Sequence, residues 1–263
     1  CDKSYVIIMK AYLPPEARKG CDRMTGQAEV TYLWNSGFVV KIEDTALVFD
    51  YYLDPAKKLP AVLAACKRVY FFASHRHFDH FSSAIGDFAD QVSRYFLSFD
   101  IRLLEEAKEL PAENSLYLSA YDEYKDEEIR VTTFSSTDEG ISFLVEIDGW
   151  RVFHAGDFNW WYWKGDTTEN IALAKNGFMK QMKHMDGLTA DITFFPVDKR
   201  LEEYAASGAK EFCRRTSPGY LITMHNTTGE LWQLEGDFFS VGQEIPIWRP
   251  SVAGEVQIIK RQR

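Results

Sequence analysis

Short apolar runs separated by turn-forming residues dominate the pattern along this chain and predict β-strands. The first three predicted strands follow one another with brief breaks, Asn35-Ser36-Gly37 and Glu43-Asp44-Thr45, which are typical of hairpins. Later strands alternate with stretches that we expect to be helical. The predicted strands cover residues 28–34, 38–42, 46–49, 68–73, 95–99, 115–118, 129–134, 141–147, 150–154, 191–195 and 220–223, and the predicted helices begin at Phe81 or cover 101–109, 170–184 and 201–214.

The order of these elements indicates one α/β domain. Two strand-rich blocks are each followed by helices, and no long linker, low-complexity segment or short repeat divides them. A chain of 263 residues is long enough to bury one sizeable core. We therefore expect residues 28–263 to form a single domain. Residues 1–27, which contain prolines and charges, are expected to form a peripheral lead-in.

The run His75-Arg76-His77-Phe78-Asp79-His80 contains three of the six histidines of the chain. It follows a predicted strand, so His75 and His77 point to the same side of extended chain and can share one metal ion. Asp79 and His80 lie past the turn and can face a second ion or a bound water. Imidazole and carboxylate groups are ligands of zinc and neighbouring divalent ions. The clustering favours a metal site over a polar loop in which histidines occur by coincidence.

This H-x-H-x-D-H motif resembles the signature of the metallo-β-lactamase superfamily, and two later segments extend the resemblance. Residues 150–157, WRVFHAGD, end in a Gly-Asp pair that is similar to the family's bridging aspartate, and residues 220–225, YLITMH, end in a histidine. The resemblance covers about residues 30–225 and implies a four-layer αββα sandwich. The metal ligands that it implies are His75, His77, Asp79, His80, Asp157 and His225.

One ligand of the family pattern is missing. The family supplies a third histidine to the first metal from the segment that corresponds to residues 134–140, FSSTDEG, where this chain has none. The alignment places Ser135 at that position, and Ser135, Asp138 or water would complete the site. Neither remaining histidine is a convincing substitute, because strand alternation turns His154 away and His184 is expected on the surface of a helix.

The two implied ligand sets therefore differ in completeness. The second metal position would have Asp79, His80 and His225 together with a shared Asp157. The first position would have two histidines and that shared carboxylate, which is still a workable catalytic arrangement. Asp50, at the end of the third predicted strand, would support the metal loop from outside the ligand set, or would cap a turn.

The resemblance also implies a mechanism. We expect one or two divalent ions, with zinc favoured over manganese or iron. A bound ion lowers the pKa of its water, so hydrolysis would use a metal-bound hydroxide that Asp79 or Asp157 orients or deprotonates. A degenerate site that binds metal without catalysis is the alternative.

Two segments are candidates for the substrate pocket. One directly follows Asp157, contains three tryptophans, and would either wall a cleft or cover the core. The other follows the predicted strand 191–195 and carries two basic residues, which could hold an anionic group such as a phosphate. Capping of a helix by Asp198 is the simpler interpretation of that second segment. The candidate pocket residues are Asn159, Trp160, Trp161, Lys199 and Arg200.

Within the superfamily, residues 140–145, GISFLV, and 154–157, HAGD, look most like the branch that includes the ascorbate-6-phosphate lactonase. That resemblance implies a metal-dependent hydrolase of a small ester, lactone or phosphorylated metabolite. A phosphodiesterase acting on nucleotides or nucleic acid is a second hypothesis, and a non-catalytic metal-binding relative is a third. The absence of a Gly-x-Gly-x-x-Gly or P-loop pattern, and of an evident Ser-His-Asp or Cys-His pair, favours hydrolysis without a covalent intermediate.

Composition argues against some classes of partner. The net charge of −9 disfavours a broad nucleic-acid surface, because phosphate binding needs clustered Lys and Arg. No apolar stretch approaches the roughly 20 residues of a membrane helix. We expect the protein to act on a small molecule and to bind neither nucleic acid nor a membrane. The sequence does not distinguish a monomer from a homo-oligomer. A cytoplasmic location is favoured by scattered cysteines without paired or metal-type spacing, which are Cys1, Cys21, Cys66 and Cys213.

Overall fold

The computed structural model of the protein describes residues 26–226, 231–234, 236, 238–239 and 243–261. The predicted lead-in at residues 1–27 lies outside the described residues, except for Gly26 and for Gln27, which begins the first strand. The elements in chain order are β1 (Gln27–Trp34), β2 (Gly37–Ile42), β3 (Thr45–Phe49), α1 (Leu59–Leu63), β4 (Arg68–Ala73), β5 (Arg94–Ser98), β6 (Ser115–Leu118), β7 (Glu123–Lys125), β8 (Ile129–Ser135), β9 (Ile141–Ile147), β10 (Trp150–His154), α2 (Thr168–Met182), β11 (Thr189–Ala190), β12 (Ile192–Pro196), α3 (Ser207–Arg215), β13 (Ser217–Pro218), β14 (Leu221–Met224), β15 (Ile247–Trp248) and β16 (Val256–Lys260). Four 3₁₀ segments are described as well, at Ser83–Gln91, Phe99–Leu103, Glu106–Glu109 and Lys199–Tyr204.

The described strands form two mixed sheets of seven strands and one short parallel pair, β11 with β13. The first sheet has the order β16-β1-β2-β3-β4-β5-β6 and is antiparallel as far as β3 and parallel from β3 to β6. The second has the order β15-β14-β12-β10-β9-β8-β7, with parallel pairs from β10 to β15. The parallel strands β4 and β12 are mostly apolar and are buried along almost their whole length, as expected for strands that are covered on both faces.

Aromatic side chains fill the space between the two sheets. The ring centroids of Phe38 and Phe194 are 4.5 Å apart, and those of Phe72 and Phe143 are 5.4 Å apart. These pairs join β2 and β4 of the first sheet to β12 and β9 of the second. Full burial of one such side chain contributes about 1.5–3 kcal/mol. The core therefore holds the two sheets, and the strand ends that leave them, in one relative position.

Helical segments cover the outer face of each sheet. Leu59 and Leu63 of α1 and Ile101 of a 3₁₀ segment pack on the first sheet. On the second sheet, Phe212 of α3 stacks on Phe153 at a centroid distance of 5.1 Å. This arrangement is a four-layer αββα sandwich, so the predicted fold class is confirmed. In the described part of the chain, no helix has the length and the apolar character that crossing a bilayer requires.

The predicted strands are all present, with each boundary shifted by one residue at most. The predicted helices differ more. The stretch at 101–109 forms two 3₁₀ segments, and so does not form one helix; the helix expected after Phe81 is the 3₁₀ segment Ser83–Gln91. The predicted helix at 201–214 is also wrong in its first half, because Glu202 has non-helical backbone angles (φ 53°, ψ −124°) and only α3 is regular.

Candidate metal centre

The residues of the histidine-rich motif leave the first sheet at the end of β4, which lies between β3 and β5. Two strands of the second sheet, β10 and β14, are followed by Asp157 and His225. Ligand sites of α/β proteins form beyond the carboxyl ends of parallel strands. Side chains from both sheets therefore meet at one edge of the sandwich.

Two groups of potential metal ligands are present in the described part of the chain. Within each group, one ligand atom per residue lies within 4.8 Å of the others. The two groups coincide with the two ligand sets predicted from the sequence, apart from the sharing of Asp157. The first group is His75, His77 and Asp157, and the second group is Asp79, His80 and His225.

Asp157 joins the two groups. Its Oδ2 lies 3.6 Å from Nε2 of His75 and 3.5 Å from Nε2 of His225, and its Oδ1 lies 3.2 Å from Nε2 of His80. Burial favours the protonated carboxyl, but the surrounding imidazoles of His80, His225 and His75 outweigh it and hold the pKa of Asp157 far below its usual range. The carboxylate is therefore ionised and lies between the two groups, where a bridging ligand would have to lie.

Two buried polar atoms at this point test whether a metal ion fits. Nε2 of His80 and Oδ1 of Asp157 are buried and lie 3.2 Å apart, but neither makes a hydrogen bond of good geometry with any described residue. Buried polar atoms without a partner are rare in folded proteins and call for an explanation such as an ion. Both atoms are lone-pair donors of the kind that binds zinc and neighbouring divalent ions. The residues of the site therefore fit a divalent metal ion.

His80 is held by a buried carboxylate behind it. Its Nδ1 donates to Oδ2 of Asp50 at 2.7 Å, which leaves Nε2 directed at the site. Asp50 also accepts from the backbone N and from Oγ of Ser74, both at 2.7 Å. Asp50 thus supports the metal loop, as was expected of it. Support of this kind raises the basicity of a histidine ligand and fixes its ring.

His225 is held in the same way from the second sheet. Its Nδ1 donates to Oδ2 of Asp198 at 3.0 Å. Burial alone would lower the pKa of His225, but the carboxylates of Asp157 and Asp198 raise it to about 10. The backbone of His225 lies in the left-handed region (φ 63°), which is costly for a residue other than glycine. Its N–H donates to the carbonyl of Asn35 across the site at 3.3 Å.

Ligands of the first group are less enclosed. His75 is buried and its Nδ1 donates to the Oγ of Ser74 at 3.0 Å, whereas the side chain of His77 is 42% exposed. Nε2 of His77 lies 3.6 Å from the partly buried carboxylate of Glu139, too far for a hydrogen bond. Burial and the neighbouring His80 lower the pKa of His75 to about 4, so this imidazole is neutral, as a ligand must be.

The segment that lacks the family's third histidine lies directly against the metal loop. Gly140 has φ +72°, and a Cβ there would lie 2.0 Å from the carbonyl oxygen of Ser74, so this close approach requires glycine. Among the described residues, Asp138 borders the cleft with His77 and Asp157, and Ser135 does not. Ser135 ends β8, and its Oγ donates to the carbonyl of Ser136. Of the predicted replacements for the missing ligand, Asp138 is the one placed on the site.

A cleft of about 750 Å³ opens above the two groups, which is within the usual range for a ligand site. Of the predicted pocket residues, Trp161 and Arg200 border it. The side chain of Trp161 lies at 5.4 Å from the ring of His225. Trp163, which belongs to the predicted tryptophan-rich segment, also borders the cleft and stacks on Trp161. Sequence reasoning missed Phe78, which borders the cleft and is 83% exposed. Phe78 lies within the metal motif, so its position there was the available signal.

The other predicted pocket residues lie elsewhere. Asn159 is fully buried and borders a smaller groove beside the cleft, and Trp160 packs on Phe178. Lys199 is not among the described residues that border the cleft. Asp198 does cap its segment, because its Oδ1 accepts from the backbone N of Arg200 at 2.9 Å, so the simpler interpretation of that segment is correct. It also holds His225, a second role that sequence reasoning missed.

The two remaining histidines belong to neither ligand group in the described chain. His154 is buried; its Nε2 donates to the carbonyl of Ser36 at 3.0 Å, and its Nδ1 accepts from the N–H of Gly156 at 3.2 Å. His184 is exposed, in a turn just after α2, and its ring lies 4.9 Å from that of Tyr121 in a tilted arrangement. Both are therefore excluded as replacements for the missing ligand, as predicted.

Comparison with known proteins identifies the fold. No protein-family model matches the chain, and no curated protein matches it in sequence. Solved structures do match. The metallo hydrolase Igni18 from the archaeon Ignicoccus hospitalis is 16% identical with a TM-score of 0.61, over 90% of this chain and 100% of that one. The metallo-β-lactamase fold protein YhfI from Bacillus subtilis is 12% identical with a TM-score of 0.56. The match covers 88% of this chain and 99% of that one.

A further solved structure, the short form of human tRNase Z, is 13% identical with a TM-score of 0.50, over 89% of this chain and 100% of that one. These likenesses extend over most of the described chain. They show that the protein has the metallo-β-lactamase fold, which agrees with the two sheets and the order of their strands.

Proposed function

We propose that the protein is a metal-dependent hydrolase that acts on a small ester, lactone or phosphorylated metabolite. One observation carries this proposal: two adjacent groups of metal-ligand side chains share Asp157 at the floor of an open cleft of substrate size. The similar structures named as metallo hydrolase and as metallo-β-lactamase fold protein support it. Zinc is the proposed metal, with manganese or iron as alternatives, because imidazole and carboxylate ligands suit all three.

The residues divide into holding and orienting roles. His80 and His225, together with Asp79, would hold one ion, and His75 and His77 would hold the other, with Asp157 between them. When bound, a divalent ion supplies a water of lowered pKa and polarises a carbonyl or phosphoryl oxygen. Asp79 is itself oriented, because its Oδ2 accepts from Nδ2 of Asn35 at 3.1 Å.

Hydrolysis then requires one group that moves a proton from the attacking water to the leaving oxygen. The oxygen of water bonds to the carbonyl carbon or phosphorus, the bond to the leaving oxygen breaks, and the leaving oxygen takes a proton. Asp79 would accept the proton of the attacking water and pass it to the leaving oxygen, so that the step balances.

Small neutral or singly charged substrates suit this cleft better than a polynucleotide. Asp138 and Asp166 add negative charge to its border, whereas the charge of Arg200 is paired with Asp198 at 2.8 Å. The segments GISFLV and HAGD, similar to those of the lactonase branch, are the ground for placing lactones among the proposed substrates. Free thiols at Cys66 and Cys213 are the ground for proposing a cytoplasmic location.

A metal-loaded substrate screen tests the proposal. The metal-stripped protein would be loaded with zinc, manganese or iron and assayed on nitrophenyl esters, small lactones and bis(nitrophenyl) phosphate. We expect hydrolysis of an ester or lactone that is lost on chelation and in the variant His80→Ala. Preferred cleavage of the phosphodiester would favour the phosphodiesterase alternative. A folded protein that binds metal and cleaves none of the three classes would favour the non-catalytic alternative, and one that binds no metal would overturn both.

A further inference from the structure

Three aromatic side chains border the cleft beside the metal ligands, Phe78, Trp161 and Trp163. Phe78 is 83% exposed and Trp163 is 40% exposed, while Trp161 is partly buried. An aromatic ring stabilises a fold by leaving water, so rings that stay in water at one place contribute little to the core. Exposed apolar side chains that are grouped, rather than scattered, mark binding sites. We refer to these three residues as the cleft aromatics.

Trp161 is fixed against the metal ligands. Its Nε1 donates to the backbone carbonyl of Asp157 at 3.0 Å, and its ring centroid lies 5.4 Å from that of His225. The ring centroid of Trp163 is 6.2 Å from that of Trp161, and the planes of the two indoles differ by only 8°. Two nearly parallel rings are thus held next to the ligands. Side chains that are already ordered lose little conformational entropy when a ligand binds.

Arg200 fixes Trp163 in turn. Its guanidinium lies over the indole at 5.6 Å from the ring centroid, and its Nε donates at 2.8 Å to Oδ2 of Asp198, the carboxylate that holds His225. Trp163 nevertheless stays partly exposed, so Arg200 does not cover it. A positive charge already beside this ring would repel a second one. The site therefore favours a neutral ring over a substituted ammonium group, the other usual ligand of grouped aromatic side chains.

Polar residues that border the cleft outside the ligand groups are engaged within the protein. Oγ1 of Thr137 donates to the carbonyl of Asn159 at 2.6 Å and accepts from its N–H at 2.9 Å. Oδ1 of Asp166 accepts from the N–H of Thr167 at 2.7 Å and from Nδ2 of Asn170 at 2.8 Å. A ligand that covers the exposed rings therefore gains more on this side of the cleft than one that offers further hydrogen bonds.

We propose that the cleft aromatics form a subsite for a planar aromatic ring of the substrate. The protein would then select esters or lactones in which such a ring lies close to the reacting group, because Trp161 lies against the ligand His225. Aromatic rings attract one another in offset-stacked and edge-to-face arrangements beyond the gain from burial alone. This inference rests on the proposed function, since the reacting group is taken to lie at the metal centre.

Two hydroxamates that bind through the same group test this subsite without any need for turnover. Benzohydroxamate and cyclohexanecarbohydroxamate have rings of equal size, of which only the first is planar and aromatic. Calorimetric titration of the zinc-loaded protein would measure both. We expect benzohydroxamate to bind at least about fivefold more tightly, because only a planar ring can stack on the indoles. Acetohydroxamate, which has no ring, gives the affinity of the metal-binding group alone.

Substitutions show whether the cleft aromatics cause the preference. Trp163→Leu and Phe78→Leu should each reduce it to about twofold or less, with the affinity for acetohydroxamate unchanged. Phe99→Leu is the matched control, because Phe99 is 49% exposed, has the guanidinium of Arg102 at 5.9 Å from its ring centroid, and is not among the described residues that border the cleft. This variant should keep the full preference. Comparing the ratio between variants removes any difference in the intrinsic zinc affinity of the two compounds.

The same titrations contain the results that would contradict the subsite. Equal binding of the two ring compounds to the unmodified protein would overturn it, as would a preference that Phe99→Leu loses as fully as Trp163→Leu does. Tighter binding of trimethylammonioacetohydroxamate than of benzohydroxamate would show that the rings surround a cation, which also overturns it. Equal losses of acetohydroxamate and benzohydroxamate affinity in Trp163→Leu and Phe78→Leu would show that these side chains support the metal centre instead.

The outcomes also separate this inference from the proposed function. A preference for the planar ring in binding, without hydrolysis of any nitrophenyl ester, would retain the subsite and reject the hydrolase. Hydrolysis of nitrophenyl esters, with equal binding of the two ring hydroxamates, would retain the hydrolase and reject the subsite. A folded protein that binds no zinc, manganese or iron would overturn both.

Discussion

The two ligand groups share Asp157 but differ in what stands behind their histidines. In the second group, His80 and His225 each donate their other ring nitrogen to a buried carboxylate, Asp50 and Asp198. In the first group, the corresponding partner of His75 is the hydroxyl of Ser74, and His77 is 42% exposed. The first group is therefore built more loosely.

This difference bears on metal affinity. A carboxylate behind a histidine ligand fixes its ring and strengthens it as a donor, and loss of such support weakens metal binding by about 10–100-fold. The two groups should therefore not bind ions equally. We expect the second group to retain one ion firmly and the first to exchange its ion readily.

The largest effect is expected from Asp157→Ala. This change removes the bridging carboxylate, so both groups should lose metal affinity by about a hundredfold or more, and hydrolysis should fall to background. Elemental analysis after dialysis, together with an ester assay, would measure both. Asp166→Ala, a carboxylate at the border of the cleft but outside both groups, is the control. Retention of one full equivalent of zinc by Asp157→Ala would contradict the bridging role.

Asp198→Asn should affect the two positions differently. It keeps the shape of the side chain but weakens the support of His225, so the tighter zinc affinity should fall by about 10–100-fold while the weaker one stays the same. Glu139→Gln is the comparison variant for the first group and should change affinity little, because the Glu139 carboxylate is paired with Arg76 and lies 3.6 Å from His77, too far for a hydrogen bond. Equal losses in the two variants would remove the distinction between the groups.

The parts of this site that were predictable from sequence are local. The motif at residues 75–80 places four ligands by spacing alone, and Asp157 and His225 each follow a short apolar strand. The supporting contacts are different in kind. Asn35 meets Asp79 from 44 positions away, and Asp198 meets His225 from 27 positions away. Such long-range contacts depend on how the two sheets pack, and the local sequence pattern does not predict that packing.

Prediction of the fold from sequence was likewise accurate for elements with a clear local pattern and poor for elements that depend on packing. Strands with continuous apolar runs were predicted to within a residue, whereas β16, which is largely exposed and pairs with β1 at the sheet edge, was not predicted. The segments at 83–91, 99–103 and 106–109 are 3₁₀ rather than α-helical. Short helical segments are decided by packing on the sheet more than by their own propensity. The tryptophan-rich segment was expected either to wall a cleft or to cover the core, and it does both: Trp161 and Trp163 border the cleft, whereas Trp160 packs on Phe178.

A smaller effect should identify the group that completes the first position. Asp138 borders the cleft and Ser135 does not, so Asp138→Asn should weaken the looser zinc site by about tenfold, and Ser135→Ala should leave it unchanged. Competition with a zinc chelator would measure both variants. A loss confined to Ser135→Ala would show that the serine hydroxyl, rather than Asp138, is the replacement for the missing histidine.

The smallest effect concerns pH. In the metal-free protein the raised pKa of His225, from 6.5 to about 10, adds stability that is complete below pH 6.5 and is lost as pH rises towards 10. The lowered pKa of Asp198, from 3.8 to about 2, adds stability above pH 3.8 that is lost on acidification. Stability without metal should therefore fall between pH 6.5 and 9.

Zinc should reverse this trend, because the ion competes with protons for the histidines and binds more tightly as pH rises. Urea denaturation at pH 6.5 and 9, with and without zinc, would measure both trends. Parallel pH dependence in the two states would contradict the placement of His225 among the ligands.

Calorimetric titration of the metal-stripped protein with zinc tests most directly whether the two groups bind metal unequally. We predict two binding events, each of about one equivalent, with the first at least about tenfold tighter than the second, and we predict that Asp198→Asn weakens the first event alone. Two events of equal affinity, a single event that Asp198→Asn leaves unchanged, or no binding at all would contradict the account.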